Sequence, residues 1–423
     1  MSREQVVSRS AEAPARPADA AATAAIEPAP SQDRPRETRR IVPIDNLKAV
    51  LVAWVIAGHA FLGYAAMGGW PYDEVAETTL PRQVELGLEI IIGPTALFVI
   101  GAFFFLSGLL APNSIARHGS AGFIRQRLLR LGLPWLFFTL VIWPFVMWIA
   151  YRSAGHQISF WQALETRQPF LDSGPLWFVQ ILLYASVVHA LITWGGRRYA
   201  VRPRAITLVM TAVVIAATSF VIRMWYPARS QQILDLHVWQ WPQCIGLYAL
   251  GVLIADQGWA QRVPLRTARR CGIAVLAALV AGVAVLAVLG ITDFKRANLP
   301  FLGGWHWQAL ALDGVEAILV VAGSVWLLGW AQRWLTSRRA GLTRVARSAY
   351  AAYLLQVPVL IGLEVAARSF DWPALVKAVV VAVLAVTGSF ALGWLLIQLI
   401  QRRQTRRSHL TRAEASHRAN RAS

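Results

Sequence analysis

Residues Ala205–Val221 read AITLVMTAVVIAATSFV, and Gly272–Gly290 read GIAVLAALVAGVAVLAVLG. Runs of this length without a charge span a lipid bilayer as helices, because every backbone polar group is then satisfied inside the segment. Working outward from them, the chain of 423 residues holds comparable blocks at about 47–68, 89–110, 131–150, 176–195, 205–222, 239–256, 271–291, 309–330, 347–367 and 375–400. The expected fold class is therefore all-α, a polytopic helical membrane bundle of about ten transmembrane helices. Barrel strands would be about half as long. Only 15% of residues are charged against 56% hydrophobic, whereas soluble domains carry about a quarter charged residues.

The basic excess has a topological meaning. A net charge of +19 would point to nucleic acid in a soluble chain, but here the bases lie in short pieces between apolar blocks, and no nucleic-acid partner is expected. With the N-terminus inside, 32 of the 41 Lys and Arg fall on inner segments and 8 on outer loops, with Lys377 near the start of the last span. That asymmetry predicts a multi-pass protein of the plasma (inner) membrane with both termini cytoplasmic. The outer loops carry Asp73, Glu74, Glu77, Glu85, Glu165, Asp172, Asp235 and Asp293. Residues 1–40, rich in Ala, Pro, Arg and Glu, read as a disordered cytoplasmic tail, 41–401 as the transmembrane domain and 402–423 as a basic cytoplasmic tail. The first forty residues lack the apolar core of a secretory signal. Cys244 and Cys271 make neither a disulfide framework nor a metal-binding pattern, so no metal site is expected.

Within the first span, Asp45-Asn46-Leu47-Lys48 leads to Ala57-Gly58-His59. An ionisable residue inside a span is a functional candidate by default. His59 lies eleven positions after Lys48, which puts them on nearly one face with His59 about 16 Å deeper. A cation at the inner edge and an imidazole at mid-depth suit a ligand that is anionic at one end and reacts at the other. The alternative is a core histidine bonded to a neighbouring helix. Asp45, after Pro43, is expected to cap the helix and pair with Lys48, and Gly58 to allow close helix approach.

Further along, Phe103-Phe104-Phe105-Leu106-Ser107-Gly108 reads as small-residue packing rather than a nucleophile, since no G-x-S-x-G elbow surrounds Ser107. Arg127 and Arg130 share a helix face ahead of Pro134 and could grip phosphates, or could serve only as inner anchors. Before the fourth span, Asp172 and Trp177 could bind a sugar ring, as could Asp313 and Glu316 near the outer end of the eighth; the other reading of both pairs is an interfacial polar edge. Tyr350, Tyr353 and Gln356 lie deep in the ninth span and need partners there, and Pro358 is expected to kink it.

Taken together, these pieces resemble the integral-membrane acyltransferase-3 family, which includes O-antigen and glucan O-acyltransferases. Lys48 and His59 match its basic residue, ten intervening residues and histidine; Phe104 to Gly108 match its F-F-x-x-S-G segment; Arg127, Arg130 and Pro134 match its Arg-x-x-Arg pair. Leu176 to Phe178 match the opening of its fourth span, and Tyr350 to Pro358 a late Tyr-x-x-Tyr-Leu stretch, with Gln356 where the family often has histidine. The resemblance implies transfer of an acyl group from cytoplasmic acyl-CoA, a co-substrate rather than a permanently bound cofactor, to a hydroxyl of a glycan, glycolipid or small acceptor. Combined with the reading of the residues, it leads to the expectation of His59 as general base, Lys48, Arg127 and Arg130 as ligands of the CoA phosphates, and acceptor contacts among Asp172, Trp177, Asp313, Glu316 and Tyr353. A proton-coupled transporter or flippase of a glycan or lipid-linked substrate is the rival reading, and an envelope scaffold a third.

Overall fold

The computed structural model describes residues 41–65, 70, 79–165, 171–196, 199–230, 232–288 and 299–422. Residues 1–40, and with them the expected N-terminal tail, lie outside these, as do Asp73, Glu74, Glu77 and Asp293. Among the described residues there is no strand. The helices are α1 (Val42–Leu62), α2 (Arg82–Arg127), α3 (Leu133–Phe137), α4 (Trp143–Ser153), α5 (Phe160–Glu165), α6 (Trp177–Ile192) and α7 (Ala205–Arg223). They continue as α8 (Trp241–Ile254), α9 (Leu265–Val288), α10 (Leu299–Leu302), α11 (Trp307–Trp334), α12 (Ala340–Ala367) and α13 (Ala374–Ala422). The last of these extends well past residue 400, where the final span was expected to end.

Nine helical segments among the described residues are long and apolar enough to cross a membrane, one of them Arg82–Ser153. That segment contains two expected spans and reverses between them. Gly119, with φ 69° and ψ 166°, breaks the helix, a conformation open to glycine because it has no Cβ. The reversal follows from what each leg touches. Leu80 N–H donates to Tyr64 O, so α2 starts beside the C-terminal end of α1. Tyr350 Oη donates to Arg130 O at 2.8 Å, near the start of α12, and Arg368 donates to Ser153 O just past its end. Since α1 and α12 run side by side in the same direction, Asn46 Nδ2 donating to Leu335 O and Ser337 O and Gly63 lying against Glu364, the second leg returns to the level from which α2 set out. The nine segments among the described residues thus make ten passes.

The second leg contains prolines where a continuous helix has none to spare. Pro134 cannot donate to Arg130 O, and the backbone adjusts with a π-helical turn at Leu128–Gly132; a second π turn covers Phe138–Ile142 just before Pro144. The freed Arg130 carbonyl is the one that receives the Tyr350 hydroxyl, so a polar group that lipid would leave unsatisfied is bonded by a neighbouring helix. By contrast, α12 continues through Pro358 as helix.

The F-F-x-x-S-G segment packs α2 against α8. A Cβ added at Gly108 would overlap Tyr248 O, and one added at Gly251 would overlap Phe105 O. The two backbones touch, as small-residue interfaces in membranes allow. Gly108→Ala is expected to force them apart at a loss of about 1–3 kcal/mol, read as a lowered Tm of the detergent-solubilised chain. One local expectation changes: α1 begins at Val42 after Ile41, with no side-chain cap, so Asp45 lies in the first turn and forms its ion pair with Lys48 at 3.9 Å without capping the helix.

Candidate active site

Sequence order along α1 brings Trp54, Gly58 and His59 to the wall of a cavity of about 110 Å³, lined on its other sides by Val99 and Phe103 of α2, Trp177 and Phe178 of α6, and Tyr353 of α12. Its lining is mostly apolar. Gly58 contributes by having no side chain: among the described residues, nothing lies within 4 Å of an added Cβ. The expectation that Gly58 serves close helix packing is thereby corrected; its missing side chain is part of the cavity.

His59 is held from two directions. Its Nδ1 lies 3.1 Å from Gln356 Oε1, and its ring stacks on Trp70 with centroids 4.6 Å apart and planes at 16°. Trp70 Nε1 donates in turn to both oxygens of Glu364, at 3.1 and 3.0 Å. With the amide oxygen facing Nδ1, that nitrogen carries the proton and Nε2 is the basic one. Gln356 and Glu364 are fully buried on α12, which runs beside α1 through the bundle core. Neither Trp70 nor Glu364 was singled out from the sequence. Glu364 had a signal, being an acid inside the ninth span, the same rule that marks His59; Trp70, in a loop, had none.

On the side of the N-terminal face the cations gather. Lys48 and Arg127 are close enough for each charge to act on the other, and Arg130 acts on Arg127. Arg127 lies over the Phe123 ring at 4.9 Å, and its Nε is buried with no hydrogen-bond partner among the described residues. Of the three, Arg130 is exposed. Lys48, Arg127 and His59 are thus brought to one side of the bundle at two depths, with Asp45 as the carboxylate paired to Lys48.

The other expected residues divide. Trp177 and Tyr353 line the His59 cavity; the Tyr353 hydroxyl donates to Pro175 O, and its ring meets Phe178 edge-on at 5.0 Å. Asp172 does not line it. One oxygen accepts from Gly174 N at 2.6 Å and the other from Trp143 Nε1 at 2.7 Å, so Asp172 fixes the turn that sets Trp177 in place. Asp313 and Glu316 also lie away from the wall: both bind Arg223, which has no exposed surface. Gln243 Nε2 adds a bond to Glu316 at 2.7 Å, and the Arg223 guanidinium lies 5.4 Å from the Trp239 ring centroid. The interfacial polar edge expected of this acid pair is instead a buried ion triad between α7 and α11. Arg223, expected in an outer loop, is its centre.

Trp177 also faces a strained loop. His237 stacks on it with centroids 4.5 Å apart, and Leu234, Asp235 and His237 have φ of 62°, 51° and 44°, conformations that non-glycine residues hold only where surrounding contacts impose them. Burial and the neighbouring Asp235 charge raise the Asp172 carboxyl to about 7. Burial alone would lower His237, but the hydrogen bonds and charge of Asp235 outweigh it and raise the imidazole above its ordinary value. Both shifts act in one direction. Between about 4 and 7 the folded chain keeps a proton on Asp172 that the unfolded chain releases, and His237 favours the folded state until pH rises through its raised value, so the loop loses stability as pH climbs from about 4 to about 7 and further as His237 loses its proton. Hydrogen exchange of residues 232–237, corrected for intrinsic rates, is expected to show falling protection over that range, and Asp172→Asn to flatten the fall.

A family model described as an acyltransferase domain matches residues 41–396. The chain matches no curated protein and no solved structure. The family match takes in all of the helices that form the cavity, the cationic cluster and the triad, and this multi-pass, all-helical chain belongs to the acyltransferase-3 family of membrane acyltransferases.

Proposed function

We propose that the chain moves an acyl group from cytoplasmic acyl-CoA to a hydroxyl of a carbohydrate-containing acceptor, with His59 as general base, in the plasma (inner) membrane with both termini cytoplasmic. The observation that carries this reading is His59 on the wall of an apolar cavity with its Nδ1 3.1 Å from Gln356 Oε1; in this reading Nδ1 holds the proton and Nε2 is the base. Lys48 and Arg127 supply positive charge nearer the N-terminal face, where the Arg127 Nε has no partner among the described residues. In this reading they hold the phosphates while the thioester reaches the cavity. His59 Nε2 takes the proton of the acceptor hydroxyl as its oxygen attacks the thioester carbonyl; the carbon–sulfur bond then breaks, and the proton passes to the leaving thiolate. Aromatic faces at Trp177 and Tyr353 suit an acceptor sugar, and Asp172 contributes by positioning Trp177.

The rival, a proton-coupled transporter, needs a polar path past His59, and the largely apolar cavity walls give it less support. Gly58→Phe tests the reading without touching a polar group. An added Cβ meets nothing within 4 Å among the described residues, so the fold and Tm are expected to hold while the ring fills the cavity. Transfer from labelled acetyl-CoA, followed by mass spectrometry of the envelope glycans and lipids, is expected to fall on the order of a hundredfold. Undiminished transfer by this variant would place the chemistry elsewhere.

A further inference from the structure

A second cavity, of about 260 Å³, lies closer to the N-terminal face, beside the helix break at Gly119. Its walls include Asn113, Ser120, His189, Trp194, Tyr199 and Asp256, a mixture of aromatic faces and hydrogen-bonding groups unlike the apolar wall around His59. The same two helices line both cavities. On α2 the first ends at Phe103 and the second begins at Pro112; on α6 they are marked by Trp177 and His189. At 1.5 Å per residue, the cavities are separated along the helices by about 13–18 Å. A ligand that fills both has a reactive end, a flexible arm of that length and an aromatic, polar end.

The charge of that end follows from the surroundings. His189 Nδ1 lies 3.2 Å from Tyr248 Oη, and Arg127 acts electrostatically on both residues. Arg127 is not itself in the cavity wall, but its charge reaches the wall residue His189, and its buried Nε has no partner among the described residues. Arg117 and Arg125 of α2, and Arg202 and Arg204 just after Tyr199, lie on chain segments that supply the walls. We propose that this cavity holds the nucleotide end of the acyl-CoA, with the adenine against Trp194 and Tyr199, its amine toward Asp256, and phosphate on Arg127. The assignment rests on the acyl-CoA reading above and adds to it a base-binding subsite that the phosphate-binding trio does not contain.

The test is titration of the purified full-length chain, in detergent free of anionic lipid, with coenzyme A, with pantetheine and with phosphatidylglycerol. Stacking on an aromatic side chain strengthens base binding enough that Trp194→Ala and Tyr199→Ala are each expected to weaken coenzyme A about tenfold, with Trp194→Phe retaining most of the affinity. The preference for acetyl-CoA over acetyl-pantetheine, as a ratio of kcat/KM, is expected to fall by the same factor. Coenzyme A binding by the wild type that ignores both alanine variants would overturn the subsite and leave the donor reading standing. Variants that change phosphatidylglycerol binding but not coenzyme A binding would make the cavity a lipid headgroup site and overturn the proposal. Wild-type chain that binds no coenzyme A would overturn the donor reading along with the subsite.

Discussion

His59→Ala is expected to lower acyl transfer by about 10²–10⁴-fold, the range a positioned general base contributes. The fold should survive, because the ring lies at a cavity wall, half-buried, and the Trp70–Glu364 hydrogen bonds do not depend on it, while only Gln356 Oε1 loses its partner. Equal abundance in membranes and an unchanged Tm would show that chemistry rather than folding was lost. The variant should still bind coenzyme A, since the cations lie about half a bilayer away from the imidazole. A core histidine that only bonds its neighbour predicts the opposite pattern, with lowered Tm and transfer reduced only in proportion to abundance. An envelope scaffold predicts no loss of function at all.

The second large effect concerns stability. Arg223 has no exposed surface, and its removal by Arg223→Met strands Asp313 and Glu316 as two buried acids between α7 and α11. Breaking a buried pair from one side costs about 3–5 kcal/mol, so this variant is expected to accumulate poorly and to unfold at a markedly lower temperature. Combining Arg223→Met with Asp313→Leu and Glu316→Leu should recover most of that stability, because well-packed apolar groups of similar volume match a buried ion cluster. The triple variant also decides what the two acids do. If they only hold α7 to α11, transfer returns with the fold; if they bind the acceptor, the refolded chain stays inactive.

Much of this architecture is legible in the amino-acid order, for a physical reason. A run such as Ala205–Val221 has one low-energy place to be, a helix inside a bilayer. The two spans joined at Gly119 are separable in sequence by the Arg-rich stretch between them, even though the helix is nearly continuous there. His59 is legible because an imidazole inside an apolar helix has few reasons to be present. What sequence spacing does not carry is which neighbour a side chain meets. Gly58 and Gly108 are both small residues in spans, yet one opens a cavity and the other seats a carbonyl of α8. Asp313 and Glu316 look like an accessible polar edge because their partner, Arg223, ends a helix some ninety residues earlier. Trp70 lies in a loop and reaches the site only because Glu364, on α12, holds its indole nitrogen against the His59 ring. Each of these depends on tertiary contacts between helices far apart in the chain.

The measurement that bears most directly on the central claim is a mass balance in membranes containing the wild-type chain and acyl-labelled acetyl-CoA. Free coenzyme A released and ester-linked label on the acceptor would be counted in the same sample. The account predicts one mole of coenzyme A per mole of new ester, both abolished by His59→Ala. Acceptor that crosses the membrane unmodified, with no coenzyme A released and with the crossing dependent on His59, would contradict it and make this a transport protein.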